Sequence, residues 1–94
     1  MRIVWTEFAV RDLASARSYI AQDNPPAADR QLERILAAVA SLLQFPEIGR
    51  PGRRAGTREL VVNRTSYIIA YRLRGESIEL LRVVHSRQKW PESL

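Results

Sequence analysis

The short links between its periodic segments constrain the fold of this chain more than any other feature of the sequence. Apolar residues recur at helical spacing through 9–20 and again through 28–43, and the seven residues between them include the helix-stopping run Asp23-Asn24-Pro25-Pro26. Because proline cannot continue a helix but can occupy the first turn of the next one, one helix must end here and a second can begin. Two helices joined by so short a link are predicted to form an antiparallel hairpin.

The ends of these two helices carry their own signals. Thr6 is the predicted N-cap of the first helix, and Glu7 places a negative charge in the first turn, where the helix dipole favours one. The second helix has the strongest periodicity in the chain and is predicted to end near Phe45 and Pro46. A short strand, Ile3–Trp5, is predicted before the hairpin.

Three runs rich in β-branched and aromatic residues follow a loop, Pro46–Gly56, that contains two of the five prolines. The runs are Thr57–Val62, Tyr67–Leu73 and Ile78–His85. Turns of only a few residues join them, with Gly75 available for a positive φ, so they are predicted to form an antiparallel meander. The expected fold class is therefore α+β: an N-terminal strand and an antiparallel helix hairpin packed on a mostly antiparallel sheet.

The turn at Gly75 also predicts the register of the last two strands. Pairing outward from this turn places Arg72 opposite Glu79 and Ile69 opposite Arg82. Side chains alternate between the two faces of a sheet, so the register assigns each residue to a face. The face with more apolar residues is expected to take the helix hairpin, and the other face is expected to be partly open.

The turn at 63–66 extends this register to the first strand of the meander, where Arg58 falls opposite Tyr71 and Leu60 opposite Ile69. The predicted core face then carries Leu60, Val62, Tyr67, Ile69, Tyr71, Leu73, Ile78, Leu80 and Val84, with Arg58 and Arg82 among them. The predicted open face carries Thr57, Glu59, Val61, Ile68, Ala70, Arg72, Glu79, Leu81, Val83 and His85.

Composition excludes several classes of protein. The chain has 94 residues, 46% hydrophobic and 27% charged, which predicts one globular domain over residues 1–94 rather than disorder. With no cysteine and one histidine, disulfide frameworks, thiolate metal sites and His-rich metal sites are excluded, and neither a metal nor a cofactor is expected. There is no apolar run near the roughly 20 residues of a membrane span and no secretory h-region, so a cytoplasmic protein without membrane contact is expected.

The charge is basic and unevenly distributed. Fifteen basic residues against ten acidic ones give a net charge of +5, and Lys89 is the only lysine. Residues 1–47 carry five basic and six acidic groups, net −1, whereas 48–94 carry ten and four, net +6. A one-sided basic half suggests an acidic or polyanionic partner, although a solvated surface is the alternative. The candidate partner-binding residues are Arg50, Arg53, Arg54, Arg58, Arg72, Arg82 and Arg87.

Several landmarks in this order resemble a known family. They are Tyr19-Ile20, Asn24-Pro25, Ala27-Ala28, Phe45-Pro46, Gly49-Arg50, Gly56-Thr57-Arg58-Glu59-Leu60, Tyr67-Ile68-Ile69-Ala70-Tyr71-Arg72 and Leu81-Arg82-Val83-Val84-His85. Together they cover nearly the whole chain and are similar to the RelE/ParE superfamily of bacterial toxins from type II toxin–antitoxin pairs, closer to its ParE-like branch.

This resemblance implies a growth-arresting toxin that is neutralised by a cognate antitoxin and meets operator DNA only through that antitoxin. It leaves two targets open, because the branches share a fold. RelE-like members cleave mRNA on the ribosome, whereas ParE-like members inhibit DNA gyrase and carry out no known chemistry of their own.

The residues of a ribonuclease are present in the sequence. Cleavage by a 2′-oxygen requires groups that take a proton, stabilise the phosphorane and protonate the leaving oxygen. His85 has the side chain suited to proton transfer near neutral pH, and Glu47 or Glu59 could serve as a base. The candidate catalytic set is His85, Arg58, Arg72 and Arg82, with Arg87 as a further phosphate contact.

Three departures from the ribonuclease members favour the gyrase target. Ser86 follows His85 where those members typically have Tyr, no lysine precedes Lys89, and Ser66-Tyr67 stands where an arginine is often found. Inhibition of DNA gyrase without catalysis is therefore the preferred function. Ribosome-dependent mRNA cleavage is the alternative, and a non-toxic module that holds an antitoxin on DNA is the third hypothesis.

Overall fold

Two helices pack on a five-stranded mixed sheet in the computed structural model of the chain, which describes residues 1–92 and 94. The elements are β1 Arg2–Trp5, α1 Glu7–Asp23, α2 Pro25–Ser41, β2 Arg50–Pro51, β3 Arg58–Val61, β4 Tyr67–Arg74 and β5 Ser77–His85. The strand order is β1-β5-β4-β3-β2, with β1 parallel to β5 and the other neighbours antiparallel. The predicted α+β class, helix hairpin and meander are confirmed.

Asn24 joins the two helices by capping both of them. Its backbone N–H donates to Ile20 O at 3.1 Å, and its side-chain oxygen accepts from Ala27 N at 3.1 Å. The two prolines that follow lie in the first turn of α2, where a missing N–H costs no hydrogen bond. The hairpin can therefore turn within a single residue.

The predicted end of the second helix is wrong by about one turn. α2 ends at Ser41, and the next residues continue in a tighter turn in which Leu42 N and Leu43 N donate to Val39 O and Ala40 O. This i→i+3 pattern is typical of a helix that closes in a 3₁₀ turn. Leu42 remains fully buried, which explains why the apolar periodicity extends past the helix.

The meander register is confirmed near both turns but is wrong in the second half of β5. Arg72 lies opposite Glu79 as predicted, whereas Ile69 lies opposite Val83 and not Arg82. Ala70 pairs with Arg82, and Tyr71 pairs with Leu80. Leu81, between these two pairs, is therefore an extra residue on β5 and forms a β-bulge. A bulge reverses the alternation that follows it.

Because of the bulge, four residues of β5 lie on the face opposite to the one predicted for them. Val83 belongs to the core beneath the helices, where it packs in the same cluster as Tyr67 and Ile69, so its predicted place on the open face is wrong. His85, opposite Tyr67, follows it to the helix side. Arg82 and Val84 were predicted on the core face, but they lie on the face turned away from the helices.

The face turned away from the helices is partly open, as expected, and its centre is buried. Ile68, Ala70 and Val84 are buried on this side. The C-terminal tail approaches it, because the Arg53 guanidinium lies 4.0 Å from the centre of the Trp90 ring. Exposed side chains on this face remain only toward its edges.

Tyr71 fixes the loop between α2 and β2 onto the sheet. Its fully buried hydroxyl donates to Pro46 O at 2.8 Å and accepts from Gly49 N at 2.9 Å. Gly49 is required there because a Cβ atom would lie 2.7 Å from the tyrosine ring. Burial raises the pKa of Tyr71, partly opposed by the Gly49 N–H and the Arg58 charge, so the hydroxyl stays a donor at neutral pH.

We predict that Tyr71→Phe lowers the free energy of unfolding by about 1–3 kcal/mol, because it removes the partner of a buried N–H and of a partly buried carbonyl. Urea unfolding monitored by tryptophan fluorescence measures this change. Tyr19→Phe is the matched control, since Tyr19 is 65% exposed and should change stability by less than about 0.5 kcal/mol. Equal effects of the two substitutions would contradict the assigned role of the Tyr71 hydroxyl.

Candidate functional site

The Asp12 carboxylate binds the open edge of β5. Because β1 ends at Trp5, opposite Leu80, the residues of β5 beyond this point pair with β4 on one side but have no strand on the side of β1. Asp12, in the second turn of α1, fills the gap: it accepts from Val83 N at 2.9 Å and from Arg82 Nε and Nη2 at 2.7 and 3.0 Å. The hydrogen bond to Asp12 raises the pKa of the Arg82 guanidinium, although burial of the group opposes this shift.

We predict that Asp12→Ala lowers the free energy of unfolding by about 3 kcal/mol, because it removes the carboxylate that pairs with a largely buried arginine and accepts from the Val83 N–H. Both side chains of the pair are only 16% exposed. Asp29→Ala is the matched control, since Asp29 meets Arg17 at 3.4 Å on an exposed surface and should cost less than about 1 kcal/mol. Chemical denaturation of the two variants checks the difference, and equal costs would contradict it.

The other two arginines of the predicted catalytic set also have structural partners. Arg72 forms the predicted cross-strand ion pair with Glu79. Arg58 Nη1 donates to Glu47 O at 3.1 Å and to Gly49 O at 2.8 Å, which ties the same loop that Tyr71 holds. Their guanidinium groups stabilise the sheet and its loop.

The Glu59 carboxylate binds the arginine-rich loop. Its side chain is 2% exposed; it accepts from Arg50 Nη2 at 3.2 Å and from Arg53 N at 2.8 Å, and Arg53 Nε lies 3.7 Å away. Arg54 Nη2 donates to Pro91 O at 3.0 Å, so the loop also holds the tail. A buried carboxylate with these partners is a structural acceptor, which removes Glu59 from the candidate bases.

His85 lies in a cleft between α1 and the end of β5. Its Nδ1 accepts from Arg87 N at 3.1 Å, which places the proton of the neutral ring on Nε2. The ring meets Tyr67 and Tyr19 edge-on, with centroid distances of 5.2 and 6.5 Å. Burial, and to a lesser extent Tyr19, raises the pKa of Tyr67, so its hydroxyl is not a base at neutral pH. The cleft has a volume of about 560 Å³.

The structure does not bring the predicted catalytic set together. Tyr67 is opposite His85, and Arg72 lies five residues further along β4, roughly 16 Å away at 3.3 Å per residue. Arg58 is on the neighbouring strand, opposite residue 71, and Arg82 is held by Asp12. Of the seven predicted binding arginines, only Arg87 shares the cleft with His85.

The sequence indicated Tyr19 only as part of the landmark Tyr19-Ile20 and did not indicate Asp12, although both side chains line this cleft. The Tyr19 side chain is 65% exposed. No pattern in the sequence distinguished Asp12 from the other carboxylates of the helices. Among the described residues no cluster of His, Asp and Glu is placed to hold a metal ion, and no helix is both long and apolar enough to cross a membrane.

Two features define the class of protein: the helix hairpin on a five-stranded sheet, and an arginine-rich loop fixed beside it. This is the architecture of the RelE/ParE superfamily toxins, as the landmarks indicated. Residues 3–90 match the family described as ParE toxin of the type II toxin–antitoxin system parDE. The chain belongs to this toxin family.

Relatives and a solved structure agree with this assignment. The protein Y4kP of Sinorhizobium fredii is 46% identical over 93 residues, covering 99% of this chain and 96% of its own. Toxin RelE2 of Caulobacter vibrioides is 39% identical over 85 residues, covering 90% and 94%. A structure titled as the chromosomal ParDE system of P. aeruginosa superimposes with a TM-score of 0.83 at 26% identity, covering 90% of this chain and 95% of the other.

We predict that the Nδ1 acceptor of His85 makes its own contribution to stability, beside the ring contacts with Tyr67 and Tyr19. Asn at this position offers an oxygen near Nδ1, whereas Gln offers one near Nε2. All three of His85→Asn, His85→Gln and His85→Ala lose the ring contacts, but only the Asn variant keeps the acceptor, so it should be more stable than the other two by about 1 kcal/mol in urea unfolding. Greater stability of the Gln variant than of the Asn variant would contradict the assigned hydrogen bond to Arg87 N.

Proposed function

We propose that this toxin arrests growth by binding DNA gyrase, that it carries out no chemical step with its own residues, and that a cognate antitoxin neutralises it. The observation that carries the proposal is the dispersal of the four residues that a ribonuclease mechanism would need. Acid–base cleavage requires these groups within hydrogen-bond reach of one phosphate. Here Arg58, Arg72 and Arg82 each hold a different part of the fold.

The family match gives the proposal independent support. The matching family is ParE toxin, and the superimposed P. aeruginosa structure carries a ParDE title. Shared fold does not by itself establish a shared target. The residue-level argument and the family match nevertheless point in the same direction.

A partner with acidic side chains fits the second half of the chain. Its exposed cations include Arg64 and Arg74 at the two turns of the meander. Apolar side chains are exposed beside Arg64, among them Ile48 at 55% and Val61 at 49%. An antitoxin that covers both would bury apolar area and match charge, the two ingredients of a stable protein interface.

Ribosome-dependent mRNA cleavage is the second candidate, and one arrangement favours it. His85 and Arg87 line the same cleft, and a relative that is 39% identical is named RelE2. A histidine next to a cation is a minimal pair for proton transfer and charge stabilisation. The two candidates differ in whether His85 is required for toxicity.

Two parallel assays with purified protein test the proposal: supercoiling by DNA gyrase, and integrity of mRNA in translating ribosomes. We expect loss of supercoiling or accumulation of cleaved DNA, with mRNA intact. His85→Asn, which keeps the fold, should inhibit gyrase within about threefold of the wild type because no proton transfer is involved.

Cut mRNA with normal supercoiling would overturn the gyrase proposal. In that case His85→Asn should lower the cleavage rate by roughly 100-fold or more, since it removes an acid–base group. A protein inactive in both assays yet able to bind its antitoxin would support the interaction-module hypothesis.

A further inference from the structure

The C-terminal tail, described for residues 86–92 and 94, crosses the sheet face that is turned away from the helices. It begins beside the start of β4, where Ser86 N donates to Ser66 O at 2.6 Å. Further along, the Trp90 ring lies 4.0 Å from the Arg53 guanidinium, which belongs to the arginine-rich loop before β3. The tail is therefore attached at two places that lie on different strands of the sheet.

The buried centre of this face lies between the two attachments. Arg53 is held on this side, because its Nε lies 3.7 Å from the Glu59 carboxylate and Glu59 is opposite Ala70. Ile68 and Ala70 lie between residue 66 and that level of β4, and Val84 is opposite Ile68. We call Ile68, Ala70 and Val84 the outer patch. All three are at most 6% exposed although both helices pack on the other face, so the tail and the arginine-rich loop shield them from water.

Only two arginine side chains hold the far part of the tail. Arg53 contributes the cation–π contact with Trp90, and Arg54 Nη2 donates to Pro91 O at 3.0 Å. The described tail forms no helix or strand of its own after β5. A cation–π contact of an exposed arginine and a single hydrogen bond are weak compared with the stability of a folded domain. Such a segment can separate while the rest of the domain stays folded.

The closed position of the tail also carries an energetic cost. The Trp90 Nε1 atom is buried, and within the described part of the chain it has no hydrogen-bond acceptor. A buried N–H that has given up water without gaining an acceptor favours the state in which the ring is exposed. The apolar area beneath the tail favours the closed state. These opposing contributions bring the two states closer in free energy.

We propose that the tail is a strap that opens and closes on the folded domain, with Arg53 and Arg54 as its two latches. The moving part begins after Gln88, whose backbone N–H donates to His85 O and whose side-chain oxygen accepts from His85 N. Closed, the strap covers the outer patch. Open, it exposes this patch together with the Trp90 ring and both guanidinium groups. The strap is a property of the chain alone and does not depend on which target the toxin binds.

The sequence provides a cleavage site at the start of the moving part. Lys89 is the only lysine of the chain, and Trp90, which follows it, is the first residue held by a latch. A lysine-specific endoproteinase therefore cuts the full chain once, between these two residues. When the strap closes faster than the protease cuts, the cleavage rate is proportional to the fraction of open molecules.

We expect Arg53→Ala and Arg54→Ala each to raise the rate of cleavage after Lys89 by about 3- to 10-fold, the effect of losing one exposed contact. Arg50→Ala is the matched control, because Arg50 also pairs with Glu59 but has no contact with the tail among those recorded for the described residues. Its cleavage rate should stay within about twofold of the wild type. Cleavage of the Arg50 variant as fast as that of the Arg53 variant would overturn the latch assignment, since loosening of the loop would then explain both.

A second measurement separates opening of the strap from unfolding of the domain. Urea unfolding followed by far-UV circular dichroism gives the fraction of globally unfolded molecules in the wild type. Cleavage after Lys89 should be faster than this fraction allows, and the cut protein should keep its folded spectrum. Cleavage no faster than global unfolding permits would overturn the proposal, as would a wild type cut as rapidly as the urea-unfolded chain, because the strap would then be permanently closed or permanently open.

Discussion

The interaction on which the rest of the structure depends is the contact of Asp12 with the bulged strand. It terminates the open edge of β5 beyond β1 and binds Arg82 and the Val83 N–H with one carboxylate. The extra residue, Leu81, reverses the faces that follow it. His85 therefore meets α1, and a groove exists between the helix and the strand end.

The arginines of this chain show why composition overstates a basic surface. In the basic half four of them face carboxylates: two meet Glu59, one meets Glu79 and one meets Asp12. Each pair joins segments that are distant in sequence or on adjacent strands, so the pairs position the loop, the sheet and α1. Opposite charge at contact distance removes most of the long-range field of both partners.

Element order, the hairpin and most of the register could be predicted because they follow from local rules. Asn24 with two prolines specifies the helix link, and the turn at Gly75 specifies the pairing of Arg72 with Glu79. The bulge could not be predicted, because Leu80-Leu81 and Val83-Val84 are adjacent apolar pairs, so alternation does not decide which member of each pair faces the core. The β2 pairing was also missed, since a two-residue strand that includes Pro51 has no periodicity.

The candidate site illustrates the same limit at the level of function. A sequence shows which side chains are available, and it offered His85 with several arginines as one set. Whether these side chains meet in one site depends on the sheet face that each residue occupies and on the distances between them. Both depend on how strands distant in sequence pair. In the structure His85 lies beside Tyr19 and Arg87, and it is separated from Arg58, Arg72 and Arg82, the arginines predicted to act with it. What remains around His85 is two tyrosine rings and one exposed arginine, so the described residues do not place several cations around one phosphate there.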